Sequence, residues 1–171
     1  MSDQEIGKRM GEEAIFEAFE AAYPQITGRD LVEVTKSESP DFLVVFGEEN
    51  VGIEISEIRN CEDVDDYLDE VWRLADQKNN SYKRRGLFEI PIFLIFHSYK
   101  PPIYEIEQSI EFRFEPDDFD GLSFEEVWLM DLSEEYFSYQ DPRRPADMFC
   151  LKPGKWRGFH RIGSHGRKPY G

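Results

Sequence analysis

Cysteine, histidine and long apolar runs are scarce in this 171-residue chain, and each scarcity excludes a class of protein. The only two cysteines, Cys61 and Cys150, lie far apart without the spacing of a metal site, so we expect free thiols rather than a disulfide framework. No apolar run approaches the ~18–20 residues of a membrane span. The N-terminus is acidic and lacks a signal-peptide pattern. We therefore expect a cytoplasmic protein that does not insert into a membrane.

Several catalytic signatures are also missing. The sequence contains no glycine-rich phosphate loop and no nucleophile elbow. The acidic residues of 116–121 are too scattered for a calcium-binding loop. His160 and His165 have no third ligand at a metal-site spacing, so no zinc site is predicted.

Negative charge is abundant but unevenly distributed. The chain carries a formal net charge of −16, and because residues 151–171 hold six basic and no acidic residues, the other 150 residues carry −22. Such an acidic body repels duplex DNA. The basic segment also contains Trp156, Phe159 and Tyr170, which suits stacking and phosphate contacts. The alternative is that this segment folds onto the acidic body or is disordered at its end, and this is the interpretation that we favour.

Carboxylates interrupt strand-like sequence between residues 39 and 58. Asp41 opens an apolar strand, and Glu54 lies between Ile53 and Ile55. An ionisable group among strand formers must face solvent, be paired with another charge, or bind a metal ion.

A hairpin with a four-residue loop at 47–50 would place these acids on one face of a sheet. If Phe46 faces Val51, Asp41 lies opposite Ser56, and Asp41 and Glu54 become diagonal neighbours about 7 Å apart. Two carboxylates at that separation can share one Mg²⁺ or Mn²⁺. The alternative is a solvated strand face with ordinary surface acids.

The pattern Pro40-Asp41 followed by Glu54-Ile55-Ser56 resembles the PD-(D/E)XK nuclease superfamily. The resemblance covers about residues 12–98. It implies an α/β fold of the restriction-endonuclease-like type, with an αβββαβ core whose mixed sheet is flanked by helices. We expect residues 1–150 to form this single domain and residues 151–171 to form a basic, aromatic-containing C-terminal tail.

Apolar periodicity predicts elements in a compatible order. A first helix is expected to run from residue 3 to 23 and to stop at Pro24. Residues 91–96 predict a strand buried on both faces and parallel to an earlier one. Residues 103–114 fit a strand or a helix. The other expected elements are strands at 31–34, 42–46, 51–55 and 127–130, and a long helix at 62–84.

The resemblance also implies a metal site. Asp41 and Glu54 would hold Mg²⁺ or Mn²⁺, and a glutamate of the first helix, Glu13 or Glu17, would support the ion. Exposed helix carboxylates are the alternative for Glu13 and Glu17, and the better supported one.

The family's usual lysine position holds Ser56, so the positive charge must come from elsewhere. Continuing the apolar stripe of the long helix places Lys78 on its inward face, where a lysine is unusual. Lys78 could offset negative charge beside Glu54, with Ser56 contacting the attacking water or the metal shell. Alternatively, Lys78 could extend past the sheet edge to solvent. The stripe consists of Val64, Leu68, Val71 and Ala75.

Two functions remain open from the sequence. The first is a divergent metal-dependent nuclease that hydrolyses phosphodiester bonds of nucleic acid, with Asp41, Glu54, Ser56 and Lys78 as catalytic residues. The second is a non-catalytic acidic interaction protein on the same fold, an immunity-type inhibitor or a DNA mimic that binds a basic protein partner.

Overall fold

Three α-helices and seven strands make up the described parts of the chain. A computed structural model describes residues 3–59, 61–133 and 145–162, with the side chains of the first helix described from residue 11 onward. The helices are α1 (Asp3–Thr27), α2 (Val64–Arg84) and α3 (Ile103–Arg113). The strands are β1 (Leu31–Lys36), β2 (Phe42–Phe46), β3 (Glu49–Glu57), β4 (Ile92–Ser98), β5 (Glu126–Asp131), β6 (Met148–Lys152) and β7 (Gly158–His160), with a short 3₁₀ helix, Gly154–Trp156, between the last two.

The described strands form one mixed sheet of seven strands in the order β1-β2-β3-β4-β5-β6-β7. Strands β3, β4 and β5 are parallel to one another, and every other neighbouring pair is antiparallel. The predicted α/β class is confirmed, and the elements from α1 to β4 follow the order αβββαβ.

Helices cover both faces of the sheet and create two apolar cores. One core lies between α1 and the sheet and includes Phe19, Phe42 and Trp128. The other lies between the sheet and helices α2 and α3, and includes Leu68 and Ile106. Because strand side chains alternate between faces, β4, β5 and β6 contribute alternate residues to the two cores.

Strand β4 is buried along its whole length, which confirms the prediction from its continuous apolar sequence. It is parallel to β3, as predicted. The segment after it, for which the sequence fitted a strand or a helix, forms α3.

The predicted stop of α1 at Pro24 is wrong, because the helix continues to Thr27. Proline fixes φ at about −65°, a helical value, so one more turn can follow it. The Thr27 hydroxyl donates to the Tyr23 carbonyl at 2.9 Å, and the Gly28 N–H donates to the Pro24 carbonyl at 2.8 Å. The bond from Gly28 satisfies a carbonyl that the helix end would otherwise leave unpaired.

The β2–β3 hairpin is tighter than predicted. The ladder pairs Phe42 with Ile53 at one end and Phe46 with Glu49 at the other, so the turn has two residues rather than four. Gly47 opens this turn with φ +63°, the left-handed conformation that a two-residue hairpin turn requires.

This turn shifts the register by two residues from the prediction. Phe42 and Ile53 are the last pair of the ladder, so Asp41 and Glu54 occupy the next opposing positions. The predicted pairing of Asp41 with Ser56 is therefore wrong. A shift of two residues keeps every side chain on its face, so Glu54 and Ser56 still share a face with the position of Asp41.

The sheet continues past the predicted boundary at residue 150. Strand β6 spans that position, and β7 adds a further antiparallel strand. Trp156 packs against one core and Phe159 against the other, so residues 151–160 belong to the folded body. Residues 163–171, which include Arg167, Lys168 and Tyr170, lie outside the described residues.

Both cysteines of the chain lie among the described residues. Cys61 and Cys150 are free thiols, as predicted. None of the described helices is long and apolar enough to span a membrane.

Candidate functional site

Glu54 binds two side chains of α2. Its Oε2 accepts from Lys78 Nζ at 2.8 Å, and its Oε1 accepts from the Tyr82 hydroxyl at 2.6 Å. Lys78 and Tyr82 are four residues apart, so they lie on the same helix face one turn from each other. Glu54 is only 8% exposed, and both of its oxygens are paired as a buried carboxylate requires.

Lys78 therefore faces the sheet, as its place in the apolar stripe of α2 predicted. Its side chain remains 26% exposed, so the ammonium lies at the border between protein and solvent. Whether Lys78 takes part in catalysis remains a prediction.

Asp41 lies on the neighbouring strand segment, directly before β2. Its Oδ2 accepts the backbone N–H of Ile55 at 2.8 Å, which fixes the carboxylate against β3. Burial raises the pKa of Asp41 to about 7, and the negative charge of Glu54 contributes in the same direction. The N–H of Ile55 and the Lys36 ammonium oppose this rise.

Ser56 is buried two residues beyond Glu54, on the same face of β3 because strand side chains alternate. A serine hydroxyl carries no charge, so the positive charge nearest to Glu54 is that of Lys78. The structure thus pairs the acid of β3 with a lysine from α2 rather than with one from the same strand.

The predicted glutamates of α1 are not brought into this group. Glu13 is exposed and Glu17 is half-buried, on a helix that packs against the opposite face of the sheet. Among the described residues, no group of three or more His, Cys, Asp or Glu side chains is placed to hold a metal ion. Asp41, Glu54 and Glu17 therefore do not form a ready three-ligand site.

Sequence reasoning missed Glu12 and Tyr82. Glu12 pairs with Lys36 and adds to the negative potential at Asp41. It could have been found, since Glu12 extends the buried α1 stripe of Tyr23, Phe19, Phe16 and Ile15 by one turn. Tyr82 could also have been found, because it lies one turn from Lys78 on a face already predicted to point inward.

The Asp41–Glu54 pair fits a divalent cation in its chemistry. Two carboxylates that oppose each other on neighbouring strands offer the oxygen ligands that Mg²⁺ prefers, and such an ion commonly takes one or two carboxylates plus water and substrate phosphates. Burial and the negative charge of Glu54 together raise the pKa of Asp41. A cation there would relieve the repulsion between the two acids.

No family model, curated protein or solved structure matches the chain. The function must therefore be argued from the geometry of this cluster and from the surface around it.

Proposed function

We propose that the protein is a divergent metal-dependent nuclease of the PD-(D/E)XK type, which hydrolyses phosphodiester bonds of nucleic acid. The observation that carries this proposal is that Asp41 and Glu54 occupy the positions next to the last β2–β3 pair, Phe42 and Ile53, with Lys78 Nζ 2.8 Å from Glu54 Oε2. The αβββαβ element order and the mixed sheet support the restriction-endonuclease-like fold.

In this proposal Asp41 and Glu54 would hold Mg²⁺ or Mn²⁺. When bound, the ion would supply Lewis-acid polarisation of the phosphodiester. Lys78 would offset negative charge that develops on the phosphate. Ser56 would bind the attacking water. Tyr82, which donates to Glu54, would keep that carboxylate in its orientation.

The site borders an open part of the sheet, which gives a substrate access. Leu43 of β2 is exposed, and the residues of β1 after Leu31 are exposed as well. The −22 charge of residues 1–150 disfavours duplex DNA. Because single strands carry a lower density of phosphate charge than a duplex, we expect single-stranded nucleic acid to be the better substrate.

Cleavage assays on single- and double-stranded DNA and RNA with Mg²⁺ or Mn²⁺ test the proposal. Asp41→Asn and Glu54→Gln should each lower kcat/KM by about 100-fold or more. Glu111→Gln, which changes an exposed carboxylate of α3, is the matched control and should retain full activity. Cleavage that survives both site variants at the wild-type rate would remove Asp41 and Glu54 from the mechanism.

The contribution of Lys78 can be tested separately. Lys78→Met should lower kcat by about tenfold or more, because it removes the charge that offsets the phosphate. Lys83→Met changes an exposed lysine of the same helix and should have no effect. A loss of kcat that is equal in both variants would argue against a catalytic Lys78.

One observation favours the second candidate, a non-catalytic acidic protein that binds a basic partner. Glu54 is already paired with Lys78 and Tyr82, as in a closed structural network. Calorimetric titration with Mn²⁺ separates the candidates. Saturable binding that is lost in Glu54→Gln supports the nuclease. Absence of both binding and cleavage, with salt-sensitive association to a basic protein, supports the interaction protein.

A further inference from the structure

A cleft lies on the α1 side of the sheet, at the carboxyl ends of β3 and β4. The cleft has a volume of about 300 Å³, at the lower end of the range for small-molecule sites. It is lined by Gly11, Glu12, Ile15, Ile55, Glu57, Arg59, His97 and Tyr99.

His97 gives this cleft a polar group without a partner. The residue is 5% exposed, and its Nδ1 forms no hydrogen bond. Burial lowers the pKa of His97 to about 4, so the ring is neutral at physiological pH and carries one donor and one acceptor. A buried polar atom without a partner is costly in a folded protein, and a ligand in the cleft could supply one.

The next residues along β4 and β3 provide an aromatic ring and a carboxylate. Tyr99 is 41% exposed and meets the His97 ring edge to face, with centroids 6.4 Å apart. Glu57 lines the same cleft. An accessible ring is a stacking platform for a planar heterocycle, and a carboxylate accepts hydrogen bonds from an exocyclic amino group.

A second small cleft adjoins the first and shares Glu57, Arg59 and Tyr99 with it. Lys100 also lines this second cleft. Two cationic side chains, Arg59 and Lys100, therefore line the same cleft of a protein whose net charge is negative. Arg59 forms a 2.8 Å ion pair with Glu57 but is 71% exposed. Such exposed pairs contribute little, so Arg59 can turn to an anion at small cost.

We propose that the two adjoining clefts bind a nucleotide, with the base beside His97, Tyr99 and Glu57 and the phosphate beside Arg59 and Lys100. The neutral His97 ring, the Glu57 carboxylate and the Tyr99 ring suit the base, and the two cations suit the phosphate. This site lies on the opposite face of the sheet from Glu54. It goes beyond the proposed nuclease function, since it would bind a nucleotide whether or not the protein cleaves nucleic acid.

Calorimetric titration of the full chain with AMP, GMP, CMP and UMP, in the presence of EDTA, tests this site. At least one nucleotide should bind saturably, and ribose 5-phosphate should bind more weakly because it lacks a base. Tyr99→Ala should weaken binding by about tenfold or more through loss of stacking, whereas Tyr99→Phe should preserve it. Arg59→Ala should also weaken binding, and Arg84→Ala, at an exposed arginine of α2, should not.

Two further measurements distinguish a free nucleotide from a unit of a nucleic-acid strand and separate this proposal from the nuclease proposal. Tighter binding of a single-stranded oligonucleotide than of the mononucleotide would indicate a unit of a nucleic-acid strand, and equal binding would indicate a free nucleotide. Glu54→Gln should impair cleavage without changing nucleotide binding. Failure of the nuclease proposal can therefore be distinguished from failure of the nucleotide-site proposal. The proposed nucleotide site is contradicted if no nucleotide binds, or if ribose 5-phosphate binds as tightly as the nucleotides. It is also contradicted if Tyr99→Ala and Arg59→Ala bind nucleotides as tightly as the wild type.

Discussion

Gly52 of β3 allows the segment that carries Asp41 to approach the sheet. A Cβ at this position would lie 2.5 Å from Cγ of Pro40 and 2.6 Å from Cδ1 of Ile92. Both distances are shorter than any real contact, so a side chain would displace Pro40 and the adjacent Asp41. The absence of a side chain at Gly52 therefore lets Pro40 and the adjacent Asp41 pack against β3.

Gly52→Ala tests this packing. We expect it to lower the free energy of unfolding by about 1–3 kcal/mol, the usual cost of forcing an extra methyl group into a packed core, and to weaken Mn²⁺ binding through Asp41. Urea unfolding and calorimetry measure the two effects. Gly121→Ala is the control, because a Cβ there would have no neighbour within 4 Å. Equal urea midpoints for the two variants would contradict the proposed contact.

His97 should make stability depend on pH. Burial lowers its pKa from 6.5 to about 4, with the Arg59 charge in the same direction and the charges of Glu57 and Glu12 opposed to it. Between these two values the unfolded chain takes up a proton that the native state resists, so stability falls as the pH falls from 6.5 towards 4. We expect His97 to account for a loss of about 2 kcal/mol between about pH 7.5 and pH 5.

Urea unfolding of the wild type and His97→Phe at both pH values isolates this contribution. Other acids also titrate in this range, but their effect is common to both proteins and cancels in the difference. The variant should have a flatter pH profile than the wild type. Parallel profiles would show that His97 keeps its ordinary pKa in the native state.

At the scale of the elements, α2 and α3 begin in different ways. The Asp63 side chain caps α2 by accepting the Asp66 N–H at 2.8 Å. The residue before α3 is Pro102, which supplies no side-chain cap. Asp131 at the end of β5 replaces it, and accepts the N–H of Ile103 at 2.9 Å and that of Ser133 at 2.8 Å.

Comparing Asp131→Ala with Asp63→Ala measures how burial changes the contribution of a capping carboxylate to the free energy of unfolding. Asp131 is buried, so its loss leaves two N–H groups without an acceptor and should cost about 3 kcal/mol. Asp63 is exposed, so water can replace it and the loss should be about 1 kcal/mol. Urea unfolding of both variants measures the two losses in the free energy of unfolding. A larger loss for Asp63→Ala would show that Asp131 does not hold α3.

At the scale of the whole molecule, the charge of −22 on residues 1–150 should oppose folding through self-repulsion. Raising NaCl from about 0.01 M to about 1 M shortens the Debye length from about 30 Å to about 3 Å, so the urea midpoint should rise. MgCl₂ at equal ionic strength should raise it further in the wild type but not in Glu54→Gln. A midpoint that falls with salt would show that attractive ion pairs dominate.

Much of the fold could be predicted from local sequence. A short run of apolar residues predicted β2 at its observed bounds, and the longer apolar run of β4 predicted a buried parallel strand. The end of α1 could not be predicted, because side chains that bond to carbonyls decide whether a helix continues past Pro24. The hairpin register could not be predicted either, because it depends on whether Gly47 adopts a left-handed conformation.

For the candidate site, the sequence by itself determined which residues share a face. The period of a strand places Glu54 and Ser56 together, and the period of a helix turns Lys78 inward. Only the tertiary structure decided the partners, because the distance between α2 and β3 depends on how both elements pack in the core. That packing brings Lys78 and Tyr82 to Glu54. It also leaves Glu17 out of the group and brings Glu12 of α1 close enough to influence Asp41.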